Sequence, residues 1–304
     1  MKQIGRLKST ATELIGKNLA FSKKFTNLCE VIAKHLSIIN TVRNIGFKTL
    51  LLAITLLNLS STPIAKPKAG SIIDVIVIDP GHGGRDPGTM GKGVKEKEVA
   101  LKISLKVGQL IEKNIPGVKV IYTRKDDRYV GLDDRAILAN NEKADLFLCI
   151  HANAVLRPTT YGTETYVMGL HRTEGQMEIA QRENSVMLLD QDYKERYEGF
   201  DPKSPESYIL FSLTQSAYQE SSLKLAQKIE SQFKNKIGRH SHGVKQAGFW
   251  VLWKTTMPSV LVEVGFLTNV NEEAYLRSAK GQDEIASGIY RAFKEYKAQM
   301  EAIN

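Results

Sequence analysis

The sequence predicts an α/β fold: a single domain on a mixed, largely parallel sheet flanked by helices on both faces. Two observations carry that prediction. Residues 72–78, 146–150 and 259–264 are short apolar runs rich in β-branched side chains, the pattern of strands buried on both sides. Between and after them, apolar residues recur at helical spacing, as at Val99, Ile103, Val107, Leu110 and Ile111, and at Ile285, Ile289, Phe293 and Tyr296. Strands alternating with helices pack as a sheet covered on both sides.

In chain order, strand 72–78 meets Asp79-Pro80-Gly81, which is expected to end it because proline gives no N–H to a central ladder. A glycine-rich turn leads into helix 96–114, which Pro116-Gly117 stops. Strand 118–122, helix 133–143 and strand 146–150 follow. Residues 163–168 alternate like a more exposed strand. Residues 248–253 and 259–264 read as strands parted by a turn at Pro258, and helix 282–298 closes the fold. The least regular part is 169–237. There 175–189 looks helical, 190–207 is charged and broken by Pro202 and Pro205, and 210–236 is helical again. No internal repeat is visible.

The net charge of +9 comes mostly from the first 48 residues, which hold nine Lys/Arg and two Glu. The remainder carries 33 basic and 31 acidic residues, so no broad phosphate-binding face is implied and nucleic acid is not an expected partner. A basic stretch, an apolar core at 50–57 and a small-residue region at 60–65 follow one another in the order of a secretory signal. Residues 1–68 are therefore read as a basic leader holding a signal peptide or an uncleaved anchor, and 69–304 as the working domain. The chain is expected to be exported, to the periplasm or cell envelope, and to meet a membrane only through this N-terminal segment. Cys29 falls in the leader. Cys149 lies in a core strand, where a small buried apolar role outweighs that of a nucleophile.

His82 sits on the turn that ends the first strand, at the carboxyl edge where open α/β sheets build their sites. Glu96 opens the helix after the glycine turn, His151 follows the strand 146–150, and Glu263 lies near the end of 259–264. Two histidines and one glutamate make a three-ligand zinc set that leaves a position open for water, and a second glutamate can serve as base. Each has a blander rival. His82 alone is a loop or capping residue. Glu96 lies in the charge run Lys95-Glu96-Lys97-Glu98, where Glu98 competes as ligand. Glu263 in an apolar strand also fits a structural ion pair.

The order Asp79-Pro80-Gly81-His82-Gly83-Gly84, Glu96-Lys97, Ile150-His151-Ala152-Asn153 and Val262-Glu263-Val264-Gly265-Phe266 resembles the zinc-dependent N-acetylmuramoyl-L-alanine amidase family. Thr123-Arg124, Asp127, Leu132, Arg135 and Ala139-Asn140 agree with it, and the likeness runs over residues 72–297. The resemblance implies peptidoglycan as substrate and hydrolysis of the amide between N-acetylmuramic acid and L-alanine. It implies one zinc ion held by His82, Glu96 and His151, Glu96 being chosen over Glu98 by the family's Glu-Lys pair, with Glu263 as catalytic base. In some members an insertion folds over the zinc until a partner moves it. Residues 169–215 are read as such an insertion, open to an activator protein, and 183–206 as its lid, with a surface excursion that shapes the groove as the alternative.

Other motifs give less. Gly81-His82-Gly83-Gly84 lacks the Gly-Lys-Ser/Thr of a phosphate loop. His240-Ser241-His242 reads as a basic surface loop rather than a metal site. Phe249, Trp250 and Trp253 default to core packing, although a sugar could stack on them.

Overall fold

The computed structural model describes residues 73–209 and 217–302. The leader reading, with Cys29, the first residue of the predicted 72–78 strand, and residues 210–216 of the predicted 210–236 helix lie outside these residues. No helix among them is long and apolar enough to cross a membrane.

Six strands form one sheet: β1 (Val75–Pro80), β2 (Lys119–Tyr122), β3 (Leu146–Asn153), β4 (Thr163–Met168), β5 (Ser241–Ala247) and β6 (Ser259–Phe266). Their spatial order is β2-β1-β3-β6-β4-β5. The neighbours β2, β1, β3 and β6 are parallel, β4 runs antiparallel to β6, and β5 is parallel to β4. The mixed, largely parallel sheet expected from the sequence is therefore the observed one.

Alternation along the strands divides the core in two. Ile76, Ile78, Leu146, Leu148, Ile150, Val260, Val262 and Val264 point to one face. There they pack under the helices α1 (Glu96–Asn114), α4 (Gln219–Gln232) and α6 (Ala279–Glu301). Val77, Phe147, Cys149 and Leu261 point to the other face. Their cover is α2 (Leu132–Asn141), α3 (Glu174–Asn184) and an aromatic cluster of Tyr197, Phe200, Tyr208 and Trp250. A further helix, α5 (Val270–Arg277), follows β6.

Four local expectations are corrected. β1 continues through Pro80. The next residue makes the ladder bond instead, Gly81 N–H donating to Ile150 O at 2.9 Å, while the donor that Pro80 lacks would face β2, whose pairing ends at Tyr122 with Ile78. β4 is buried along its whole length, because it lies inside the sheet between β6 and β5. The strand read at 248–253 is a single helical turn, Trp250–Trp253, whose aromatic side chains pack on the second core. The strand that precedes it is β5, so Ser241 and His242 belong to an edge strand rather than a loop.

Candidate metal centre

The centre begins with the ends of β1 and β3, adjacent parallel strands with Pro80 level with Ile150. His82 follows β1 with φ of 61°, a left-handed conformation uncommon for a residue with a side chain. Two buried guanidinium groups hold this strained turn. Arg124 donates to the carbonyls of Pro80 and Gly81 at 3.0 and 2.6 Å, and Arg135 to those of Pro80 and His82 at 2.8 and 2.7 Å. Arg135 also pairs with Asp79 at 2.7 Å. The Thr-Arg and Arg135 marks in the sequence thus act by fixing the backbone that presents His82.

Residues 83–95 then fold back on the start of α1. Thr89 O and Pro87 O accept from the N–H groups of Glu96 and Lys97 at 2.9 and 3.2 Å, filling the place of a side-chain cap. Glu96 is buried and points inward, whereas Glu98 is exposed. Lys97 braces the loop, donating to Gly84 O at 2.8 Å and pairing with Asp127 at 2.6 Å.

The side chains of His82, Glu96 and His151 come together, and a fourth joins them: Glu183, near the end of α3. One donor atom from each lies within 4.8 Å of all the others, and all four residues are buried. Glu96 Oε1 is 3.0 Å from His82 Nε2 and 2.9 Å from His151 Nδ1; Glu183 Oε2 is 3.3 and 3.2 Å from the same two nitrogens. His82 Nδ1 lies 2.7 Å from Asp86 Oδ2, a carboxylate that accepts from the ring N–H and leaves Nε2 facing the centre. Glu96 is held by the N–H and hydroxyl of Thr89 at 2.8 and 3.0 Å and by Ala152 N–H at 3.0 Å.

The donor set fits a metal ion. His82 Nε2 and Glu183 Oε2 are buried and make no hydrogen bond, although each has polar atoms close by. Two imidazoles and two carboxylates are the nitrogen and oxygen ligands that zinc takes at about 2.0–2.2 Å. Burial opposes positive charge on both rings. Even so, Glu96 and Asp86 raise the pKa of His82 well above its usual value, and Glu183 does the same for His151. Burial would likewise raise the two carboxyls, but His82 holds Glu96 low and Arg182 holds Glu183 low. The pocket therefore favours positive charge at its middle.

Glu263 stands beside this cluster, level with His151 across the β3–β6 pair. It is fully buried and neither carboxylate oxygen has a hydrogen-bond partner. Burial, then the nearby Glu183, pushes its pKa well above the ordinary carboxylate value. The ion-pair rival for Glu263 finds no partner among the described residues.

Sequence reasoning did not name Glu183 or Asp86. Asp86 had a signal, four residues after His82 on the same turn. Glu183 had none of its own, since Gln181-Arg182-Glu183-Asn184 is a polar run inside the helix read at 175–189. Of the other histidines, His242 sits on β5 with its ring 4.6 Å from that of His240, away from the four-residue cluster.

An α/β sheet with a buried His/Glu cluster at the carboxyl ends of its parallel strands makes this the scaffold of a candidate metal centre. Residues 76–295 match the family model for N-acetylmuramoyl-L-alanine amidase. The chain is 36% identical over 233 residues to N-acetylmuramoyl-L-alanine amidase AmiC of Escherichia coli O6:H1, a match that takes in 73% of this chain and 52% of AmiC. It thus spans about half the length of that relative. It is 34% identical to AmiA of Escherichia coli K12 over 239 residues, 78% of this chain and 80% of AmiA. The crystal structure of an N-acetylmuramoyl-L-alanine amidase from Clostridium difficile 630 superposes with a TM-score of 0.56 at 30% identity, covering 74% of this chain and 97% of that one. The chain belongs to the N-acetylmuramoyl-L-alanine amidase family, enzymes that act on peptidoglycan.

Proposed function

We propose that this chain hydrolyses the amide between N-acetylmuramic acid and L-alanine in peptidoglycan, with one zinc ion held by His82, Glu96 and His151 and with Glu263 as base. The observation that carries the reading is the placement of Glu263: a fully buried carboxylate without a partner, beside a convergent set of two imidazoles and two carboxylates. When bound, the ion would polarise the scissile carbonyl and bring the pKa of water from about 15.7 toward 7. The protein's own part is then positional. Asp86 and Ala152 N–H, the latter through Glu96, fix the donors that face the substrate. Glu263 takes a proton at its carboxylate and gives it to the departing nitrogen of L-alanine. Its raised pKa suits that exchange, because burial makes the carboxylate a stronger proton acceptor than an ordinary one.

Glu183 makes a fourth protein donor, whereas a catalytic site of this kind keeps one position free. We read Glu183 as an occluder and the inserted segment, 169–215, as the lid that carries it; the sequence-based span 183–206 begins at that residue. Turnover then requires α3 to withdraw. Leu170 and Leu189 are large apolar side chains exposed on this segment, and they give an activator protein apolar surface to bury. Peptidoglycan lies outside the cytoplasmic membrane, so the basic leader is read as its export signal or anchor.

Metal analysis of the purified chain, with mass spectrometry of muropeptides after digestion of peptidoglycan, tests the reading. The expected result is one zinc per chain and release of peptide stems with free L-alanine amino termini. Cleavage within the stem or the glycan strand would overturn it.

A further inference from the structure

Arg182, the neighbour of Glu183, also reaches into the site. Its Nη1 donates to Ala154 O at 2.8 Å and its Nη2 to Asn153 Oδ1 at 2.9 Å. Asn153 is the last residue of β3 and Ala154 follows it, two and three residues beyond His151. Asn153 is fixed from the other side, donating through Nδ2 to Glu164 Oε1 at 2.6 Å, and Glu164 is in turn paired with Lys245 and accepts from Tyr166 at 3.2 Å. Asn153 has no exposed surface, so its Oδ1 is aimed rather than adaptable. Arg182 also bonds Glu183 Oε1 through Nε at 3.0 Å. Consecutive residues of one helix therefore place an oxygen among the metal donors and nitrogen donors against a fixed acceptor pair next to them.

A groove of about 780 Å³ leads away from this pair. Gln176 and Ile179 of α3 line one wall; Glu164, Lys245 and Phe266 line the other, with Arg157 at the rim. Acceptors at the inner end call for a ligand with N–H groups; Lys245 is already paired with Glu164, so Arg157 is the cation left to meet a ligand carboxylate further out, with Glu178 on the α3 side. The peptide stem has both, with amide N–H groups at each residue and free carboxylates beyond L-alanine. The glycan strand has no charge to match.

We propose that Asn153 Oδ1 and Ala154 O form the subsite for the first stem N–H beyond the scissile amide, and that the wall made by β4 and β5 carries the rest of the stem once α3 withdraws. Arg182 fills this subsite in the closed arrangement, as Glu183 fills the metal position. The proposal rests on the reading that α3 withdraws for turnover.

The test uses the full chain carrying Arg182→Ala and Glu183→Ala, which free both positions, with Glu263→Gln to prevent cleavage. Two sugar-free probes are titrated: an N-acetyl-L-alanyl-D-isoglutamyl peptide, and its analogue in which an ester oxygen replaces the N–H after L-alanine. The amide is expected to bind about tenfold more tightly, the effect of one hydrogen bond to a buried acceptor. Asn153→Ala should erase that difference. Equal binding of amide and ester in the opened chain overturns the proposal, as does binding of N-acetylmuramic acid that excludes the peptide. The amide-to-ester ratio needs no change at Asn153, so it decides the matter even if that variant does not fold. Glu183→Ala alone, assayed on peptidoglycan with Glu263 intact, tests occlusion separately. No gain of hydrolysis there sinks the occlusion reading and leaves the amide-to-ester ratio to judge the subsite.

Discussion

Arg85, on the loop that presents His82, donates to Asp190 at 2.8 Å, a few residues past the helix that carries Glu183. Asp190 is buried and also accepts from Tyr129 at 2.9 Å and from Tyr197 at 2.6 Å. One carboxylate thus ties the segment that follows α3 to the loops after β1 and β2. Asp190→Ala removes every one of these bonds at once. If the segment is a lid, the variant should hydrolyse peptidoglycan severalfold faster than the unaltered chain in a dye-release assay. A purely structural Asp190 predicts the reverse, with activity and melting temperature falling together.

Glu263→Gln keeps the shape of the side chain and removes its capacity to take a proton. Loss of a positioned general base is worth about 10²–10⁴ in rate. The variant is expected to lose at least two orders of magnitude in kcat while its metal content, measured by atomic emission, stays at that of the unaltered chain. A fall in metal content would assign Glu263 to the ligand set instead.

Removing the ion should act through His82, Glu96 and His151 together. Dialysis against a strong chelator is expected to abolish hydrolysis and lower the thermal midpoint, because an ion bound only by the folded chain stabilises it by mass action. Adding zinc should restore both. His151→Ala should lose the restoration, whereas Glu98→Ala should keep it, since Glu98 is exposed on the outer side of α1.

Asp79 sets a dependence on acid. Burial alone would raise its pKa, but Arg135, with Cys149 and Thr123, holds it below the ordinary value of 3.8. A carboxylate held low in the folded state stabilises fully above the unfolded pKa, and that contribution is lost as pH falls through the folded one. Urea midpoints should therefore be flat in this contribution near neutrality and drop below about pH 4. Asp79→Asn should flatten the acid limb and cost about 3–5 kcal/mol at pH 7, because it leaves the Arg135 charge buried without its partner.

The parts of the site that lie at the ends of buried strands were legible in the sequence. His82 and His151 follow runs whose composition allows little but a central strand, and neighbouring strand ends in a parallel sheet lie close together. Glu96 was harder. Two glutamates two residues apart on a helix face nearly opposite ways, and only the fold-back of Thr89 and Pro87 decides which one turns inward. Glu183 could not be read at all, because its role depends on where α3 is laid down. The error at 248–253 has the same origin. Bulky apolar residues there pack as one helical turn, while the polar run 241–247 gains its strand from edge pairing with β4.

Cys149 lies in β3 with no exposed surface, and its thiol donates to Asp79 at 3.0 Å. Burial and that carboxylate push the thiol pKa up to about 12. Sulfur held in this state forms almost no thiolate, the species that disulfide exchange and oxidation require. Among the described residues it is the only cysteine, so the folded body should keep its chemistry in air without a reducing agent and resist thiol-alkylating reagents until it is denatured. Oxidising surroundings would therefore leave such a residue unchanged while the fold holds.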